Sequence, residues 1–460
     1  MKIGPAWWGA VARRAVGGGG FPPADHFNPP GAVRRYVGAA REGVVLRYAA
    51  FDALPLGISR AANATDTQRQ VRAGQQHGGR LKGSPVPRTR GLTAMNMHIH
   101  SENMVQTIGA LEQYIQRPIP DAKVIRHLAK KHPMRITHYY LDLIDWDDPK
   151  DPIRKIAIPS LGEQKRSGTF DTSGEHVHTK FRGFQHKYRQ TALILTTNRC
   201  AVYCRHCFRK RLVGLVDNEV VVDWDEVVAY LGAHREVTNV LLSGGDPLIL
   251  ATDHLEDILG RLARIPHLRY VRIGSRIPVV LPDRILDDDP LHEAFKAFAS
   301  GGKQLYVTTQ FNHPRELTTT SIRSVKRLQE DGVIVNNQTV LLKGVNDCPS
   351  VMAELQAALA RAGVIPYYVF QCRPVTTVMD EFQVPLHDAC QLIDEARKQL
   401  DGLSKRFRFV MSHLTGKIEI LGWSDGGIYA KYHQTNRPSL HNKLFHKRLG
   451  KDVGWLDLGG

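Results

Sequence analysis

The sequence predicts an α/β fold, with a parallel sheet wrapped by helices. Three observations predict it. Short apolar runs of strand length recur from Thr191 onward. Stretches with apolar residues at helical spacing alternate with them. Six such strand–helix units with short apolar strands argue for a parallel sheet covered by helices.

In chain order, residues 1–94 stand apart. They are rich in Gly, Ala, Pro and Arg, as in Gly17–Gly20 and Pro29-Pro30, with weak hydrophobic periodicity. Such a segment is expected to be disordered. Its Arg-rich, acid-poor composition also fits a targeting peptide. Met95 and Met97 precede the first helical pattern, so translation starting there would leave 1–94 outside the natural protein. That last reading is favoured. Helical spacing begins at Met104, Ile108, Leu111 and Ile115, with Ser101 as cap. Residues 95–185 are expected to be a helical N-terminal region, with loops such as 145–152.

The alternation starts with a strand at 192–196. Asp223 caps the next helix, with Glu226 three residues on. A strand at 239–242 follows, then a helix opened by Asp253 and Glu256. Leu255, Ile258, Leu259 and Leu262 are its apolar stripe. Further strands are expected at 270–273, 304–308, 334–342 and 367–370, and helices near 322–328, 351–359 and 386–400. This makes six strand–helix units, with functional residues at the C-terminal strand ends. Residues 407–411 read as a last strand. Segments 418–423 and 428–432 flank Ser424-Asp425-Gly426-Gly427, a β-hairpin pattern. The tail beyond Asn436 is basic and suggests no element. The expected divisions are 1–94, 95–185, 186–403 and 404–460.

The net charge of +17 over 460 residues invites a nucleic-acid reading, but its distribution opposes one. Residues 1–94 hold fourteen Lys/Arg against four Asp/Glu, leaving +7 for the rest of the chain. No apolar run reaches membrane-span length. Six cysteines in so long a chain are no secreted disulfide framework, and a reducing cytoplasm is expected.

Three of those cysteines, Cys200, Cys204 and Cys207, fall within eight residues. Thiolates bind soft metals. A structural zinc normally takes four protein ligands, and a cubane iron–sulfur cluster usually takes four thiolates. Three cysteines leave one iron open to a ligand. This spacing resembles the signature of the radical S-adenosylmethionine (SAM) enzymes. The resemblance implies a partial (β/α)6 barrel, with SAM bound at the open iron. It also implies that Gly244, Gly245 and Asp246 form the glycine-rich edge beside SAM, that His206 lies against the adenine, and that Gln338 and His313 stand near SAM.

Seven blocks narrow the resemblance. They are His186-Lys187-Tyr188, CRHCFRKR at 204–211, LLSGGDPL at 241–248, RIGSRIPVVLP at 272–282, QFNHP at 310–314, NNQTVLLKGVNDC at 336–348 and PYYVFQC at 366–372. Together they resemble lysine 2,3-aminomutase, a radical SAM enzyme that uses pyridoxal phosphate (PLP). The resemblance implies a [4Fe-4S] cluster, SAM and PLP, and migration of an α-amino group to the β carbon. It implies Lys417 as the lysine that binds PLP covalently, with Lys187 and Tyr188 at the PLP phosphate and ring. A further family arginine is replaced by Thr191. Arg189 is one candidate substitute, and Arg276 another for the phosphate region. Arg209 matches the arginine for the substrate α-carboxylate. Where lysine-specific relatives carry an aspartate for the distal ammonium, this chain has Arg373, and the second aspartate falls near Ser412. An acidic substrate such as glutamate is therefore expected in place of lysine. A reductant such as flavodoxin or ferredoxin and a homo-oligomer are also implied. The C-terminal zinc cysteines of the relatives have no counterpart, although Cys348 matches their partner position. Two alternatives are an aminomutase of the elongation factor P type, acting on a protein lysine, and a nonenzymatic iron–sulfur protein.

Overall fold

The computed structural model describes residues 104–458, apart from 216 and 217. The expectations for 1–94, Met95, Met97 and Ser101 lie outside the described residues.

The first pattern resolves differently from its reading as one helix. Met104–Val105 is a strand, β1, paired antiparallel with β2, Ile136–Thr137. The helix is Ile108–Ile115, and Thr107 caps it by accepting from the Ala110 amide at 3.1 Å. That cap ends the helix at its N-terminus, which frees Met104 and Val105 for sheet pairing. Short helices follow at Ala122–Lys131, His138–Leu141, Pro152–Ala157 and Glu175–His178.

One sheet of twelve strands carries the rest, ordered as in the chain. Its strands are β3 (Thr179–Phe181), β4 (Phe184–Tyr188), β5 (Thr191–Thr197), β6 (Asn239–Gly244), β7 (Tyr270–Gly274) and β8 (Gln304–Thr309). They continue as β9 (Ile334–Leu341), β10 (Ile365–Gln371), β11 (Arg408–His413), β12 (Gly416–Ser424), β13 (Gly427–Gln434) and β14 (Leu444–Arg448). β5 to β11 are parallel neighbours, and antiparallel strands extend both ends. The parallel run thus has seven members, since 407–411 joins it through β10. The sheet crosses the expected divisions near 185 and 403. β14 was not legible, because this edge strand is mostly exposed and lacks an alternating apolar face.

The caps explain the connections. Asp223 accepts from the Asp225 and Glu226 amides at 2.9 and 3.0 Å, as its spacing predicts. Asp253 is no cap: its helix, Thr252–Ala263, begins one residue earlier, and Asp253 lies in the first turn, where the helix dipole favours a carboxylate. A helix at Asp289–Ser300, capped by Asp288, escaped the sequence reading. The hairpin turn holds Asp425 and Gly426 in the left-handed region, at φ 53° and 70°, the geometry of a two-residue turn matched to strand twist.

The predicted stripe Leu255, Ile258, Leu259 and Leu262 is buried in the main core. A second core joins the helix Leu386–Lys398 to β11, β12 and β13. Among the described residues no helix is long and apolar enough to cross a membrane.

Candidate active site

The sheet curls around an open-mouthed cavity of about 410 Å³, within the roughly 300–1,000 Å³ of small-molecule sites. Cys200, Cys204 and Cys207 line one part of it, and Lys417 another.

The cysteine loop follows β5 directly. A buried ion cluster fixes its shape. Glu163 accepts from Arg205 at 2.8 and 2.6 Å and from Lys210 at 2.7 Å. Burial works against the Glu163 carboxylate, but the two cations outweigh it and hold it near 2. Buried charges are tolerated only when paired and fully hydrogen-bonded. Arg205 meets that demand with the carbonyls of Pro133 and His132, and Lys210 with the Thr377 hydroxyl. Burial pushes the Cys200 thiol well up, and Cys207 to about 11, with neighbouring thiols adding to it. Thiols so placed release their protons to a metal. Among the described residues no three ligands converge as around a single ion. A cubane holds its thiolates farther apart, and three crowded cysteines on one cavity wall suit it.

The glycine edge locks against this loop. A Cβ on Gly244 would lie 2.3 Å from the Thr197 carbonyl oxygen, and one on Gly245 2.1 Å from that of Arg199. Only glycine permits that approach. The Gly245 and Asp246 amides donate to Thr197 and Arg199. Asp246 is committed to the backbone, accepting from the Leu248 and Arg276 amides at 3.1 and 2.6 Å, and burial raises it to about 6. The His206 ring lines the cavity, kept neutral by burial and by the charges of Arg276 and Lys210, which lower it to about 3. Gln338 also lines the cavity.

Two expectations are corrected. His313 is not among the cavity-lining residues; its Nδ1 accepts from the Arg315 amide and caps the turn begun by Pro314. Arg276 belongs to the cysteine end: its Nη1 lies 2.7 Å from Cys204 Sγ, and its Nη2 donates to Glu316 and Tyr140.

At the other end Lys417 sits on β12 between Ser412 of β11 and Gln434 of β13, and all three line the cavity. Its Nζ is 4.4 Å from the centre of the Tyr368 ring. Burial, with the nearby charges of Arg272, Arg373 and Lys187, lowers this amine to about 7. A large neutral fraction near pH 7 is what a nucleophilic lysine needs. Lys187 donates to the carbonyls of Ser173 and His413, both at 3.0 Å, and burial lowers it to about 8. Tyr188 and Thr191 line the cavity too. Arg189 is exposed and outside the lining, so it does not replace the missing arginine. Arg272 lines the cavity instead, its Nε donating to Asn239 at 2.9 Å. Its signal was period two: Val271 and Ile273 are fully buried on the other face of β7.

The profile of the radical SAM superfamily matches residues 194–355. A protein of Aquifex aeolicus (strain VF5), provisionally named an L-lysine 2,3-aminomutase, is 44% identical over 341 residues, 74% of this chain and 91% of that one. The L-lysine 2,3-aminomutase of Clostridium subterminale is 38% identical over 303 residues, covering 65% and 71%. The chain belongs to the lysine 2,3-aminomutase family. It is a radical SAM isomerase, and its family chemistry uses a [4Fe-4S] cluster, SAM and PLP. The glutamate 2,3-aminomutase of Clostridioides difficile (strain 630) is 33% identical over 306 residues, covering 66% and 70%.

Within this aminomutase Arg209 and Arg373 flank Phe208, with guanidinium carbons 4.5 and 4.1 Å from the ring centre. Glu175, which sequence reasoning missed, organises them. Its Oε1 accepts from Arg209 Nε and Nη2 at 3.2 and 3.0 Å, and its Oε2 from Arg211 at 2.6 Å. Burial opposes its charge, but Arg209, Arg211 and Arg373 hold it near 2. Glu175 thus takes Nε and one N–H of Nη2, and Ser243 accepts from Nη1, which leaves one N–H on each end-on nitrogen of Arg209. Arg373 donates to Ser173 at 2.9 Å, and burial lowers it to about 10. Five cations line the cavity besides Lys417 (Lys187, Arg209, Arg272, Arg276 and Arg373), against two carboxylates, Glu175 and Asp246. Both carboxylates are already engaged.

Proposed function

We propose that this aminomutase acts on an acidic α-amino acid, glutamate being the natural candidate, and moves its amino group from the α to the β carbon. The observation that carries the reading is Arg373. It is a buried cation lining the cavity, and the acids acting on it are engaged elsewhere, Glu175 by Arg209 and Arg211 and Asp171 by His176 and the Glu175 amide. A substrate carboxylate would supply the missing partner, whereas a lysine ammonium would meet like charge.

In this reading Arg209 takes the α-carboxylate on its end-on nitrogens, and Arg373 takes the distal one. Lys417 is the lysine that binds PLP, and Lys187, Tyr188 and Arg272 serve its phosphate end. Gly244 and Gly245, with His206 and Gln338, border SAM, and Cys200, Cys204 and Cys207 hold the cluster. When bound, the cluster and SAM supply a hydrogen-abstracting radical, and PLP supplies a carbonyl in a conjugated ring. The protein's part is to orient and to exclude water. His206 is neutral and adds no charge beside a sulfonium. Apolar residues such as Leu193, Leu241, Val340 and Phe370 line the space between the charged groups. Lys417 holds and releases its proton near neutrality. In the same reading the enzyme works in a reducing cytoplasm, where thiolates and iron–sulfur clusters survive, with flavodoxin or ferredoxin as electron donor.

The test is an anaerobic screen of the standard amino acids with enzyme reconstituted with iron, sulfide, SAM and PLP, locating the product's amino group by NMR. A β-amino dicarboxylate is the expected product. Turnover confined to lysine would reject the acidic substrate while leaving the aminomutase chemistry intact.

A further inference from the structure

A second opening reaches the cysteine loop. Besides Cys204, Cys207 and Val213, this narrow pit is lined by His132, Pro133, Tyr203, Arg205 and Lys210, none of which lines the main cavity. It has room for little more than a water and is no substrate site. What it does is thin the protein between solvent and two of the three cluster cysteines.

The rim of the pit is basic. Helix Ala122–Lys131 ends on Lys130 and Lys131, immediately before His132. Lys165 and Arg166 follow the turn Leu161–Gln164, which packs on that helix. The Arg166 charge reaches His132, adding to burial and to the Lys210 and Arg205 charges that depress the imidazole to about 4. Lys130, Lys131, Lys165 and Arg166 are all exposed, and none forms an ion pair with a described residue. Beside them Phe170 is 38% exposed, its ring 6.1 Å from that of His132. Four exposed cations without ion-pair partners among the described residues, on the two segments that flank a pit reaching Cys204 and Cys207, make a surface suited to an acidic protein.

We propose that this face docks an acidic one-electron carrier protein, which passes its electron to the cluster through the Cys204–Cys207 edge. The inference rests on the cluster reading above. No bond forms or breaks: the carrier is oxidised by one electron and the cluster reduced by one. Charge complementarity steers the encounter and makes it sensitive to salt.

The test uses the reconstituted holoenzyme and two reductants, a photoreduced acidic flavodoxin and dithionite, with cluster reduction followed by stopped-flow absorbance. The variant K130E/K131E/R166E is compared with K447E/R448E, a reversal on the distant β14 edge. The first variant is expected to be reduced about tenfold or more slowly by flavodoxin, with its dithionite rate and cluster absorbance unchanged. The β14 variant is expected to match the parent. Equal flavodoxin rates in all three proteins would overturn the proposal. So would an equal loss in both variants, or a parallel loss with dithionite. The milder K130A/K131A variant, expected to slow flavodoxin about threefold, gives the same reading if the reversal does not fold. A parent enzyme without cluster absorbance would instead sink the cluster reading on which the proposal stands.

Discussion

The two ends of the cavity are built in opposite ways. The cysteine end is contiguous: one loop, 200–207, supplies all three thiols, and Glu163 pins it through two neighbouring cations. The lysine end is scattered, with Glu175, Lys187, Arg272, Arg373 and Lys417 arriving from five places along the chain. The first can be damaged only as a whole. The second offers graded control, because each side chain carries a separable part of binding.

The largest expected effect falls on the contiguous end. Cys204→Ala should abolish both the visible absorbance of the cluster and reductive release of 5′-deoxyadenosine. Retention of either would separate Cys204 from the cluster. At the other end Lys417→Ala should lose the absorbance of covalently held PLP yet keep the cluster spectrum. With Lys417 near 7, the amine is protonated and unreactive at lower pH, so PLP uptake should rise with pH through about 7. A midpoint near the ordinary lysine value of 10.5 would refute the buried, cation-crowded setting of this amine.

Arg373→Ala should cut kcat/KM for glutamate by roughly 30-fold to 1,000-fold, the ~2–4 kcal/mol cost of removing one partner of a buried charge pair. Glu175→Gln should act more gently, raising KM for glutamate about tenfold with kcat nearly constant, since it loosens Arg209 without removing it. A fall in kcat alone would contradict that positioning role. His206→Phe should change turnover by no more than about threefold, since a planar uncharged ring already stands there.

This contrast also explains what the sequence disclosed. The cysteine triad is local, so its spacing was legible by itself; the glycine edge took its meaning from standing one βα unit later and from the family resemblance. The βα alternation was legible because each parallel strand is an apolar run between capped helices. Lys417 was reachable only through family resemblance, since what sets it apart is its place between Ser412 and Gln434 in a sheet. Glu175 belongs to a four-residue helix with no motif of its own, and only folding brings it to Arg209. Arg276 was misplaced because an arginine following a strand reads alike at either end of the site; its partners Glu316 and Tyr140 are 40 and 136 residues away. His313 shared a family block yet is not among the cavity-lining residues, because Pro314 starts a turn that the imidazole caps.

The scattered end decides the substrate, and a side-by-side measurement reaches that point most directly. With one preparation of anaerobic holoenzyme, kcat/KM is determined for L-glutamate and L-lysine. The cation-lined cavity and Arg373 predict a ratio favouring glutamate by at least about a hundredfold. A ratio favouring lysine would show that Arg373 does not face the substrate's distal group, and would contradict the account.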